Sequence, residues 1–101
     1  MAATATQENF FYKAMAISTA HLSEADIQAL HTAANDASNN RVLSRATGFL
    51  IKLPECSAYV MSAEYLNGHE TLRQIILYAV AQGCRLLEFD EAADPHPAFK
   101  A

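Results

Sequence analysis

The segment Ser18-Thr19-Ala20-His21 places two hydroxyl groups close to an imidazole. An imidazole can transfer protons near neutral pH, and a neighbouring hydroxyl could act as a nucleophile. However, a turn separates Ser18 from His21, and the chain has no Gly-x-Ser-x-Gly motif. The favoured interpretation is therefore conformational: Thr19 and His21 satisfy free backbone amides ahead of a helix that Ser23 caps.

A second group of reactive side chains follows the last predicted strand. Asp90 and Glu91 could pair with His21 as an acid/base site or as metal ligands, whereas the simpler interpretation is that Asp90 closes the strand. The chain has no Cys-x-x-Cys motif or Cys/His cluster, and its other histidines lack metal-ligand spacing. We therefore expect no metal and no cofactor. We also expect a partly buried, hydrogen-bonded His31 and a buried, apolar role for Cys84.

Hydrophobic periodicity predicts the elements that position these groups in the first half of the chain. Residues 11–19 alternate as a strand, and Ser23 with Asp26 forms a capping-box pattern for a helix that ends within residues 36–40. Gly48 to Pro54 is the second strand, which residues 42–47 could extend backwards with Gly48 at a bulge or a close approach. Residues 58–61 fit a short paired strand or a packed loop equally well.

The second half contains the clearest helix and the last strand. Asn67, with Glu70 three residues later, predicts the N-cap of this helix. Gly83 predicts its end in a left-handed conformation. Residues 85–89 then form an apolar strand.

This order, β-α-β-(β)-α-β, predicts an α/β sandwich with two helices on a three- or four-stranded sheet. Right-handed crossovers make the first and last strands parallel neighbours or near neighbours, so Ser18 to His21 and Phe89 to Glu91 should share one sheet edge. We expect a single domain at residues 10–91, a flexible arm at residues 1–9 and an extended tail at residues 92–101.

Composition limits the possible partners. The 101 residues carry a net charge of −4 with only seven Lys and Arg, which argues against broad nucleic-acid binding. The scattered cations Arg41, Arg45 and Lys52 fit a solvated rim better than a phosphate site. No apolar run approaches the ~20 residues of a membrane-spanning helix. Lys13 interrupts the apolar stretch that weakly resembles a signal peptide, so we predict a cytoplasmic location.

Three segments resemble an uncharacterised family of small proteins from phages, plasmids and integrated mobile elements. They are Ile17–His21, Gly48–Pro54 and Ala79–Asp90, which resemble the family's Ser-Thr-Ala-His turn, its glycine-led strand ending in proline, and its helix, Gly-Cys turn and strand ending in aspartate. The family pattern continues with a second aspartate, then glycine and proline, where this chain has Glu91 and two alanines. The resemblance implies a mobile-element accessory gene, a setting in which small proteins such as anti-CRISPR proteins antagonise host defence.

Two functions from different classes remain open. The favoured hypothesis is a non-enzymatic phage or plasmid protein that docks on a host defence complex, such as a CRISPR effector, and inhibits it. Exposed tyrosines commonly anchor interfaces, and the predicted binding residues are His21, Tyr59, Tyr65, Asp90 and Glu91. The alternative is a small hydrolase or nucleotide-binding protein that uses Ser18, Thr19, His21 and Asp90. A weaker third possibility is a homodimer formed by pairing of a free sheet edge.

Overall fold

A mixed four-stranded sheet lies at the centre of the computed structural model, which describes residues 11–36, 41–54, 60, 63 and 66–99. The expected arm at residues 1–9 therefore lies outside the described residues, as do Tyr59, Tyr65 and, except for Val60, the segment 58–61. In chain order, the described helices and strands are β1 (Lys13–Ser18), α1 (Glu24–Asn35), β2 (Val42–Arg45), β3 (Gly48–Lys52), α2 (Glu70–Ala81) and β4 (Cys84–Asp90).

The strands lie in the order β1-β4-β3-β2, with β1 parallel to β4 and the other neighbours antiparallel. This confirms the α/β fold with two helices and the predicted contact between the first and last strands. The fourth strand is β2. Residues 42–47 do not extend β3 backwards, because a turn at Ala46 and Thr47 reverses the chain and makes a hairpin.

The two helices pack on one face of the sheet. Residues that point toward them, such as Ile17, Phe49 and Phe89, are at most 3% exposed and share one core with the buried residues of both helices. Residues paired across the strands point to the same face. The alternate residues of each strand therefore lie on the opposite face of the sheet, as in the paired row Ala16, Glu88, Leu50 and Leu43. No helix among the described residues covers this face.

Gly48 allows β3 to lie close against β4. A Cβ atom at this position would lie 1.8 Å from the carbonyl oxygen of Phe89, so only glycine fits. This confirms the close approach expected at Gly48. The left-handed conformation predicted for Gly83 at the end of α2 is confirmed as well, because this glycine has φ +84°.

The two helices begin differently. At α1, Ser23 Oγ accepts a hydrogen bond from the Asp26 amide, and the Asp26 carboxylate accepts one from the Ser23 amide, as the capping-box pattern predicted. At α2, the N-cap is His69, and its side chain makes no capping bond. The prediction of Asn67 as the cap was wrong: its side-chain oxygen instead accepts a hydrogen bond from Arg73 on the first turn of the helix.

Candidate functional site

One end of the sheet collects most of the side chains that the sequence singled out. Ser18 and Asp90 are partners in the register of β1 and β4, and Gly48 is the partner of Asp90 on its other side. The turn of the β2–β3 hairpin lies at the same end, where the Glu91 amide donates a hydrogen bond to the Thr47 carbonyl at 2.9 Å. This end divides into two halves with different exposure.

The first half, which we name the closed half, consists of His21, Tyr78, His96 and Phe99. The chain after β4 turns back over the end of β1, where the Ser18 amide donates to the Asp94 carbonyl at 3.2 Å. The ring of Phe99 contacts those of His21, Tyr78 and His96, with centroid separations of 5.6 to 6.0 Å. The rings of His96 and Phe99, within the segment predicted as an extended tail, thus pack against the domain.

His21 is buried within this half. It is 5% exposed, and its Nε2 accepts a hydrogen bond from the His96 amide at 2.8 Å. Ser18 Oγ accepts from the Ala20 amide at 3.0 Å within the short 3-10 turn Thr19–His21. These contacts agree with the conformational interpretation of the turn. Ser18 Oγ satisfies the Ala20 amide, and one contact of the His21 ring goes to the C-terminal segment.

The second half, which we name the open half, is a cleft of about 210 Å³ beside the hairpin turn. Its walls include Thr19, His31, Thr47, Phe49 and Glu91. His31 is exposed, and its ring meets that of Phe49 edge-on at 4.9 Å. The expectation of a partly buried His31 was wrong because the buried stripe of α1 runs through its neighbours Leu30 and Ala33.

A network of charged side chains lies next to this cleft. The Arg45 guanidinium forms ion pairs with Glu88 and with Asp90, the second at 3.4 Å, and donates to Thr47 Oγ1 at 3.2 Å. Asp90 also accepts a hydrogen bond from the Ala92 amide at 2.8 Å, which is the strand-closing role expected of it. The contacts of the Asp90 carboxylate therefore go to the hairpin and its own turn, and those described for His21 go to the C-terminal segment.

Sequence reasoning missed Arg45 and Glu88 as members of this network. Neither residue stands out in its own strand. They meet because β3 pairs with β4, with Leu50 opposite Glu88, and this pairing brings the β2–β3 hairpin that contains Arg45 close to β4. A hairpin prediction at Ala46 and Thr47 would have revealed the pair, but these residues are not typical of tight hairpin turns.

A partly buried carboxylate–imidazole pair was also missed. His69 Nδ1 lies 2.8 Å from the carboxylate of Asp26, whose side chain is 9% exposed. The pair joins the N-termini of the two helices, and the same carboxylate completes the capping box of α1. Among the residues that the structure describes, no set of three or more His, Cys, Asp or Glu is arranged to hold a metal ion. Because it links the starts of the two helices, we assign the pair to helix packing.

The fold and this site define a small two-layer α/β domain with an open cleft at one end of its sheet. Residues 14–101 match the family described as "Family of unknown function (DUF5983) C-terminal domain", and the chain belongs to this family. Comparison with curated proteins and with solved structures gave no match. Within the described parts of the chain, neither helix is long and apolar enough to cross a membrane.

Proposed function

We propose that this protein is a non-enzymatic binding protein that docks on a protein partner through the uncovered side of its sheet. We name this side the outer face. It is defined by residues 14, 16, 43, 45, 50, 52, 86, 88 and 90. The supporting observation is that its apolar members are exposed or half-buried, with Leu43 54% exposed. Exposed apolar side chains grouped on one surface are typical of interaction sites.

For the partner, we propose a host defence complex such as a CRISPR effector, inhibited by docking in the bacterial cytoplasm. The support is the resemblance of the Ser18–His21 turn and two further segments to proteins of phages and plasmids. The small size and mild acidity of the chain are compatible with such a role. The exposed Glu91, one of the binding residues expected from the sequence, adjoins the outer face through Arg45.

The geometry gives less support to a hydrolase or nucleotide-binding protein built on His21 and Asp90. A general base needs access to the proton that it removes. The Nε2 atom of His21 is buried and already accepts the His96 amide. Asp90 is engaged by Arg45 and Thr47.

The proposal is tested by expressing the protein in bacteria that carry active CRISPR systems of different types and by counting phage plaques. We expect plaques to recover with at least one system and the purified protein to bind that effector complex. Leu43→Asp should weaken both effects, because it places a charge in the apolar patch. Gln74→Asp, at an exposed position on α2, is the matched control.

Two outcomes would overturn the proposal. One is that no effector is bound or inhibited while a hydrolytic activity appears and is lost in His21→Ala. The other is that Leu43→Asp converts a dimer to a monomer in size-exclusion chromatography without changing inhibition. In that case the outer face would be a contact between two copies of the chain.

A further inference from the structure

The cleft of the open half suits one long side chain better than a nucleotide-sized ligand. Its volume is about 210 Å³. Pockets for cofactors and drug-sized ligands are larger, about 300–1,000 Å³. Its lining combines the apolar residues Ile27 and Phe49 with the polar residues Thr19 and Thr47.

The charges around the cleft favour a cation. Arg45 is its only basic neighbour among the described lining residues apart from His31, and its guanidinium is already paired with Glu88 and Asp90. Glu91 lines the cleft, is exposed, and has no side-chain partner within the described part of the chain. Two carboxylates therefore already balance the guanidinium, and Glu91 adds a negative charge to the wall of the cleft.

The rings of His31 and Phe49 add a second feature that suits a basic side chain. The methylene stem of a lysine or arginine packs well on apolar and aromatic surface while its charged head reaches a carboxylate at the rim. Here the imidazole of His31 stands edge-on to Phe49 on the same cleft that Glu91 borders. An acidic ligand would meet Glu91 and find Arg45 already occupied.

We propose that this cleft binds a lysine or arginine side chain of the protein partner, with Glu91 as the counter-ion and Phe49 as part of the floor. The inference rests on the proposed docking function and names a contact for it. Arg45 both lines the cleft and belongs to the outer face, so the two surfaces adjoin at this residue. A partner lying on the outer face could therefore place a basic side chain in the cleft.

The first test uses small probes and NMR of the full chain. N-acetyl-arginine amide and N-acetyl-lysine amide should shift the amide signals of Thr47, Gly48 and Glu91, and the neutral N-acetyl-citrulline amide should not. Glu91→Gln should weaken binding about fivefold, the effect of one exposed ion pair. Arg45→Gln should tighten binding by about twofold, because it releases the carboxylates of Glu88 and Asp90. Equal binding of the neutral probe, shifts confined to other regions, or weaker binding to Arg45→Gln would overturn the inference.

The second test separates this inference from the proposed function. In the plaque assay, Glu91→Gln should reduce inhibition, whereas Glu24→Gln, which removes an equal charge from an exposed position on α1, should not. If wild type inhibits and Glu91→Gln inhibits equally well, the cleft is not a partner contact and the proposed function stands. If wild type inhibits no system but the probes bind as expected, the docking function fails and the cation preference of the cleft stands.

Discussion

The closed and open halves of the sheet end are built from similar residues but leave their histidines in opposite states. His21 is buried, packed against Phe99 and hydrogen-bonded to the C-terminal segment. His31 also contacts a phenylalanine ring edge-on, yet it is exposed on the wall of a cleft. The difference comes from the connections at this end of the sheet: the segment after β4 covers the end of β1, and the β2–β3 hairpin leaves the neighbouring space open.

This comparison shows that a reactive residue type at a strand end does not by itself make a site. The sequence directed attention to His21, since it follows a strand and lies among hydroxyl groups. The exposed imidazole belongs instead to His31, which looked ordinary in the sequence, and the exposed carboxylate belongs to Glu91, which the sequence had already singled out. Burial and the partner of each ring decide which histidine is available to a ligand.

The largest expected effect comes from Gly48, which lets the hairpin of the open half lie against β4. Gly48→Ala should lower the free energy of unfolding by about 3 kcal/mol, because its Cβ would collide with the backbone of Phe89. Gly68→Ala is the matched control: Gly68 has φ +82° but open space around it, so only the conformational cost of about 1 kcal/mol applies. Urea unfolding of both variants measures the difference, and equal losses would contradict the close approach.

The next largest effect tests whether residues 92–99 pack over the closed half. Phe99→Ala should lower the free energy of unfolding by about 2 kcal/mol, less than in a full core because Phe99 is only partly buried. Phe11, which is 75% exposed, provides the control, and Phe11→Ala should change stability by less than about 0.5 kcal/mol. Similar values for the two variants in thermal or urea unfolding would mean that residues 92–99 are not a stable part of the domain.

The smallest effect is expected in the charged network behind the open half. Arg45→Gln removes ion pairs to Glu88 and Asp90, but the Arg45 side chain is 39% exposed, and solvent screens both pairs. The loss should therefore stay below about 1 kcal/mol in urea unfolding. A loss of about 2 kcal/mol or more, on the scale of a buried pair, would show that this half is also a structural element.

Much of the fold could be predicted from the sequence because each element has a local signal. Ser23 with Asp26 predicted the capping box of α1, and Gly83 predicted the end of α2. The parallel pairing of β1 with β4 followed from the order of elements. The start of α2 was predicted at the wrong residue. The spacing of Asn67 and Glu70 matches an N-cap pattern, but in the structure the side-chain oxygen of Asn67 accepts a hydrogen bond from Arg73.

The candidate site was less predictable because it depends on long-range contacts. The pairing of Arg45 with Glu88 needs the register between strands, and the burial of His21 needs residues 92–99 to fold back. The two prolines of that segment, Pro95 and Pro97, suggested an extended tail, but its packing depends on the rings of His96 and Phe99. No local pattern in the sequence records either arrangement.

The most direct test of the contrast between the halves is urea unfolding of His21→Ala and His31→Ala under identical conditions. His21→Ala removes a buried ring and leaves the His96 amide without its acceptor, so it should lose about 2 kcal/mol of stability. His31→Ala removes an exposed ring and should lose less than about 0.5 kcal/mol. Equal losses, or a larger loss for His31→Ala, would contradict the assignment of a structural closed half and an open half available for binding.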